Sequence, residues 1–380
     1  MLLASAGAQD AAKNADSPKL DITHEQAQTL FGGKNAKMLI NYRDQAGTAG
    51  GTHPTYPGGP VFLYLIDFSK NPLRVQPLDT SKNYQGGGGP ISPDGTRFVF
   101  LEMWTWSWYV APLDSNFKTN KVMVINNKGT ENASFQSSPS WWIHPVTGDE
   151  YLIFCAPPGN NGEDISGETY MQKMEKGTCN PSGPRLTLST RYAFRGGRSI
   201  DGHYLFSAQP GCFMGYIADG TVVENATVQI VWQAAPIDPR TGLIDQKNGL
   251  RRRCNASMST DPLRPTWVLF EPFSHTRINY DTPENDFATD KIILPPSGYS
   301  HTEWTRWSTH PDFITSAPSH VDDWDRPWIH DAHVFKWTDK SATPATGTWT
   351  RITFGAGATH LWVDQSGMVQ PASSTAGGSP

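Results

Sequence analysis

Apolar positions along this chain come in short runs rather than in helical stripes. The runs are residues 61–67 (VFLYLID), 97–102 (RFVFLE), 121–126 (KVMVIN), 150–155 (EYLIFC), 228–233 (VQIVWQ), 266–271 (TWVLFE) and 291–295 (KIILP). Gly, Pro, Asn and Asp bound each of them. Short runs so bounded predict strands, and strands at this spacing predict an all-β sandwich, barrel or propeller. Helical periodicity is confined to a short stretch around His24–Leu30.

A recurring turn decides among the three. Ser92-Pro93-Asp94-Gly95 is followed at once by TRFVF, and Ser199-Ile200-Asp201-Gly202 by HYLFS. Looser copies are His144-Pro145-Val146-Thr147-Gly148-Asp149, Ser259-Thr260-Asp261-Pro262, Ser308-Thr309-His310-Pro311-Asp312 and Val363-Asp364-Gln365-Ser366-Gly367. The aspartates at 94, 149, 201, 261, 312 and 364 are separated by 55, 52, 60, 51 and 52 residues. Self-similarity at this period predicts a ring of four-stranded blades. In each turn Asp caps its own backbone, Gly takes positive φ, and the chain reverses from the first blade strand into the second. Five repeats fit between about 83 and 355. The segment THLWVD (359–364) then supplies an inner strand, which N-terminal strands within 37–77 complete. The expected fold is an all-β, six-bladed β-propeller of four-stranded blades with N/C-terminal closure. It would span residues 21–370, after a leader (1–20) and before a flexible tail (371–380).

Composition narrows the setting. Lys and Arg number 31 and Asp and Glu 36, a net charge of −5, with no basic block to track phosphates. Nucleic acid is therefore not an expected partner. No run of 18 apolar residues exists, so no transmembrane segment is expected. The start, MLLASAGAQD, has a short apolar piece and an A-x-A pattern at 6–8, which reads as the remnant of a secretory signal. Four cysteines, Cys155, Cys179, Cys212 and Cys254, form no C-x-x-C and would allow two disulfides in an exported chain. N-x-S/T sequons begin at Asn132, Asn225 and Asn255.

The segment GPISPDGTRFVF resembles the TolB-type propeller repeat of exported bacterial proteins. The series GGGGPISPDG, PSWWIHP, RGGRSIDGHYLF, CNASMSTD, HTEWTRWSTHPDF and HLWVD resembles the propeller domain of a paralogous family of exported Fibrobacter proteins of unknown function. The resemblance covers roughly residues 80–365. It implies a secreted, periplasmic or cell-surface propeller and no particular reaction. The lipid-attachment cysteine of the anchored members is missing here.

Propeller topology puts the Asp-Gly turns on one face and the longer, chemically richer loops on the other, where function is expected. Trp104, Trp106 and Trp108 alternate, so an extended segment presents all three on one side, as a stacking platform or as packing against a neighbouring blade. Arg195, Arg198, Asn255, His301, Glu303 and His360 should fall near the channel mouth. They would bind a ligand, Arg for an anionic group and His301 and Glu303 as acid–base candidates, or simply knit the inner strands. Asp322, Asp323 and Asp325, with His330, Asp331 and His333 nearby, offer oxygen ligands for Ca²⁺ or form a solvated acidic loop. No G-x-S-x-G, H-E-x-x-H or dinucleotide fingerprint occurs. The leading expectation is an exported binding module engaging a carbohydrate or a protein on its long-loop face, with a polysaccharide or cell-surface protein as partner. The alternatives are a polysaccharide lyase or glycoside hydrolase acting at the channel mouth, and a structural part of a surface assembly.

Overall fold

The structure is a computed structural model. It describes residues 18–43, 61–79, 88–102, 107–126, 139–155, 168–191, 195–207, 213–233, 254–271, 276–279, 291–299, 302, 305–318, 331–342 and 346–366. In chain order the N-terminal part gives β1 (Lys19–Leu20), helix α1 (His24–Phe31), β2 (Ala36–Arg43), β3 (Val61–Asp67) and β4 (Val75–Asp79). Next come β5 (Gly88–Ile91), β6 (Arg97–Glu102), β7 (Ser107–Pro112) and β8 (Val122–Ile125). The third group is β9 (Ser140–Ile143), β10 (Glu150–Cys155), β11 (Thr169–Met174) and β12 (Pro181–Ser189). The fourth is β13 (Arg195–Arg198), β14 (Tyr204–Ser207), β15 (Phe213–Tyr216) and β16 (Gln229–Gln233). The fifth is β17 (Cys254–Met258), β18 (Val268–Glu271), β19 (Thr276–Asn279) and β20 (Lys291–Ile293). The last are β21 (Arg306–Trp307), β22 (Phe313–Ser316), β23 (His333–Asp339), β24 (Thr346–Arg351), β25 (Thr353–Phe354) and β26 (Ala356–Val363).

Among the described residues these strands order into six four-stranded sheets and one two-stranded ladder. Five of the four-stranded sheets are consecutive meanders, β5–β8, β9–β12, β13–β16, β17–β20 and β21–β24. The sixth has the order β26-β2-β3-β4, so strands from the two ends of the chain share one sheet, with Met38 opposite Leu361 and Leu39 opposite His360. The first strand of each sheet lies beside the first strand of another, β26 by β5, β5 by β9, β9 by β13, β13 by β17, β17 by β21 and β21 by β26. This is a β-propeller with four-stranded blades.

The turns show why the repeat folds this way. In the 92–97 turn Ser92 Oγ bonds Asp94 Oδ1 at 2.5 Å, and the Thr96 amide donates to the same oxygen at 3.1 Å. Ser92 Oγ in turn accepts the Arg97 amide at 3.0 Å. The 199–204 turn repeats the pattern. Ser199 Oγ meets Asp201 Oδ1 at 2.5 Å, the His203 amide donates to Asp201 Oδ1 at 3.1 Å, and the Tyr204 amide donates to Ser199 Oγ at 2.9 Å. Gly95 and Gly202 have φ of +71° and +80°, which a residue with a Cβ adopts only under strain. Both sites are also crowded. A Cβ on Gly202 would lie 1.9 Å from the Gly220 carbonyl, and one on Gly95 would lie 2.5 Å from the Trp362 ring. The turn chemistry read from the sequence is therefore present, with the serine hydroxyl as a second closing group.

Apolar clusters fill the spaces between blades. Val99, Leu101, Trp108 and Val110 of one sheet pack on Leu152, Phe154 and Met174 of the next. Trp142, Tyr151 and Ile153 pack on Leu205, Phe206 and Met214. Burial on both faces of a sheet makes its strand sequences nearly continuous in apolar residues, as VFLYLID and EYLIFC are. Tryptophan N–H groups also reach across: Trp142 Nε1 donates to Ser199 O at 2.8 Å, and Trp362 Nε1 to Pro93 O at 2.8 Å.

The N-terminal segment is a strap. Thr23 and Gln26 cap α1 reciprocally, and Gly32 ends it in the left-handed conformation at φ +61°. Leu30 and Phe31 bury beside Phe68 and Phe313. Lys336 Nζ donates to Leu30 O at 2.8 Å, and Asp21 pairs with Arg351 at 2.7 Å. Lys19 and Leu20, counted with the leader in the sequence reading, pair with Phe354 and Thr353 and belong to the fold.

The expected disulfides need correction at two positions. Among the described residues Cys155 and Cys179 form no disulfide, Cys155 being buried within β10 and Cys179 half-buried. Burial pushes the Cys179 thiol pKa up, so it resists ionisation. Cys212 lies outside the described residues, and no side chain is described for Cys254. No helix among the described residues is long and apolar enough to cross a membrane.

Candidate functional site

The first-to-second strand turns, at 92–96, 144–149, 199–203, 259–267 and 308–312, lie at one end of the strands. At the other end β6, β10, β14, β18 and β22 finish and their partners β7, β11, β15, β19 and β23 begin. The segments joining those strand ends, including 103–106, 156–167, 208–212 and 319–330, fall outside the described residues. Trp104, Trp106, His301, Glu303, Asp322, Asp323 and Asp325 are all in undescribed segments. Arg195 and Asn255 are placed on the inner strands β13 and β17 by their backbones alone.

Three candidate residues are fully described, and the fold uses all three internally. Trp108 is 5% exposed and opposes Leu101 and Ile125 in the cluster between two blades. It is packing, not platform, because alternation along β7 points its ring at the neighbouring sheet.

Arg198 is also corrected. β13 runs from the long-loop end at Arg195 to the turn end, and Arg198 directly precedes the Ser199 turn. Its guanidinium donates to three backbone carbonyls, Gly202 at 2.7 Å, Val222 at 2.8 Å and Gly220 at 3.0 Å. The Trp142 ring covers it at 4.3 Å. Desolvation lowers its pKa to about 10, so it stays a cation, but one consumed in holding two turns together. The irregular register between Arg195 and Gly197 shifts this face away from simple alternation.

His360 is 7% exposed on β26. Its Nδ1 stands 3.2 Å from the Ile91 amide on β5. Since an amide can only donate, Nδ1 is the acceptor and the ring is neutral. Burial, with the Arg306 charge adding to it, pushes its pKa down to about 3. Its Nδ1 is thus spent as an acceptor between two inner strands.

A further polar knot sits at the long-loop end of β23 and β24. Asp331, 6% exposed, accepts the Tyr299 hydroxyl at 2.6 Å and the Gly355 amide at 2.7 Å. Arg351 approaches it at 3.8 Å while pairing with Asp21. Burial, then the bond to Asp331, raises the Tyr299 pKa to about 12, so it remains a neutral donor. His333, edge-on to Tyr299 at 4.9 Å, shares this corner. The sequence placed Asp331 and His333 in an acidic/His cluster. It gave no signal for Tyr299 or Arg351, which arrive from 32 and 20 residues away in the chain. An open groove of about 420 Å³ beside α1, lined by Asp21, Ile22, Glu25, Gln26, Thr29 and Leu30, contains none of the expected residues. Among the described residues no group of three or more His, Cys, Asp or Glu is placed to hold a metal ion.

No family model matches the chain, and no curated protein matches it. Solved structures do. TolB from Acinetobacter baumannii is 10% identical, with a TM-score of 0.48 over 88% of this chain and 69% of that one. A nidogen/laminin complex chain is 8% identical, with a TM-score of 0.45 over 86% and 98%. The periplasmic gluconolactonase of Pseudomonas aeruginosa is 11% identical, with a TM-score of 0.40 over 83% of each chain. The propeller assignment stands on this chain's own strand order, and the comparisons bring no Fibrobacter relative.

Proposed function

We propose that this protein is an exported binding module, a closed propeller ring that engages a carbohydrate through its long-loop face. The observation that carries the reading is the asymmetry of the two faces. On the turn face the described polar groups are committed to capping and to inter-blade contacts, as Asp94, Asp201, Arg97 and Arg198 show. On the other face the chain leaves its strands into connections that carry Trp, Asp and His, including MWTW (103–106) and VDDWDRPW (321–328). Loops held by a rigid scaffold are where binding residues concentrate. Indole faces and carboxylates suit the faces and hydroxyls of sugars. The corrections to Arg198 and His360 leave Trp104 and Trp106 at the centre of the reading.

The test is a polysaccharide panel with the purified protein, reading retention and released reducing or unsaturated ends in the same samples. The expected result is retention without product, weakened at least tenfold by Trp106→Ala. Release of unsaturated ends, abolished by Glu303→Ala, would replace this reading with a lyase. No retention on any glycan would remove carbohydrate as the ligand.

A further inference from the structure

His360 joins the two ends of the chain's ring of inner strands. It sits on β26, in the sheet that strands from both chain ends share, and its partner Ile91 lies 269 residues away on β5. At the turn end the same boundary is held by Trp362 Nε1 on Pro93 O at 2.8 Å and Lys37 Nζ on Gly95 O at 2.8 Å. Lys37 also lies over the Trp362 ring at 5.6 Å. Among the described residues, Ile91 from β5, Leu39 from β2 and the charged Arg306 from β21 stand beside His360.

We propose that the β26–β5 boundary is an acid-labile seam, with His360 as its catch. A proton on Nδ1 removes the acceptor for the Ile91 N–H and turns donor against donor. It also places a cation in a buried site beside the Arg306 charge. Both effects favour separation of the strands. The contacts made by Trp362 and Lys37 are N–H donors on carbonyl oxygens and do not depend on an imidazole acceptor. The seam therefore parts at His360 while the turn end remains joined, and it opens towards the long-loop face. Because the folded ring holds His360 far below its free pKa, the strain is absent at pH 7. It grows as pH falls from about 6.5 towards about 3.

The experiment is hydrogen exchange of the intact protein between pH 7 and 4, corrected for intrinsic rates and read on peptides covering Gly88–Phe100. The expected result is that opening at Ile91 rises up to tenfold per pH unit below about 6.5. Peptides from β10 and β14 should stay protected over the same range. His360→Gln keeps a side-chain oxygen acceptor that does not ionise, and it should flatten the dependence. Its far-ultraviolet circular dichroism at pH 7 checks that it folds. If His360→Gln does not fold, the wild-type contrast between Ile91 and β10 alone decides. Ile91 protection that is flat to pH 4, opening of all strands together, or unchanged pH dependence in a folded His360→Gln would overturn the proposal.

Discussion

The two faces of this propeller differ in how their polar residues are spent. On the turn face, serine and aspartate close each turn on itself, and the remaining charges tie one blade to the next. Arg97 is the extreme case. It is 2% exposed, reaches Glu150 on the adjacent blade at 2.6 Å, Asp94 at 2.9 Å and Thr178 O at 2.7 Å, and lies over the Trp141 ring. At the long-loop end the strands finish in segments with no comparable repeat of sequence. Selection for closure explains a repeated motif, whereas selection for a ligand has no reason to repeat. On the proposed reading, sequence regularity on one face and irregularity on the other separate scaffold from site.

Breaking the turn face should cost stability and spare binding, with the largest effect at Arg97. Arg97→Ala leaves Glu150 buried without its cation and should destabilise by about 3–5 kcal/mol, measured by denaturant unfolding. Replacing both partners, Arg97→Met with Glu150→Leu, should recover most of that loss. Gly202→Ala comes next. It puts a Cβ into positive φ and against the Gly220 carbonyl, for about 2–3 kcal/mol. Asp201→Ala removes one acceptor shared by Ser199 and His203 and should cost about 1 kcal/mol. On the proposed reading, Trp106→Ala should change stability by no more than about 0.5 kcal/mol while carbohydrate retention falls.

Much of the scaffold was legible because its signals are local. Ser-x-Asp-Gly followed by a strand states a turn and a direction within six residues. The strands at 61–67, 97–102 and 150–155 appear with those bounds. The part of the site that the structure describes was less legible, because side-chain direction and long-range partners decide it. Arg198 looked available until the shifted register at Gly197 and the carbonyls of Gly202, Gly220 and Val222 were in view. Trp108 belonged to an apparent row of three, but β10 of the neighbouring blade packs over it. The Tyr299–Asp331 bond joins the segment after β20 to the entry of β23, and no spacing rule encodes such a contact.

The central claim is that one face holds the ring and the other holds the ligand. The most direct measurement is the retention of Trp106→Ala and Asp201→Ala on the same polysaccharide column, with the melting temperature of each taken in parallel. The account predicts that Trp106→Ala melts with the wild type and is not retained, whereas Asp201→Ala melts earlier and is retained in full. A retained Trp106→Ala, or an Asp201→Ala that loses retention while still folded, would contradict it.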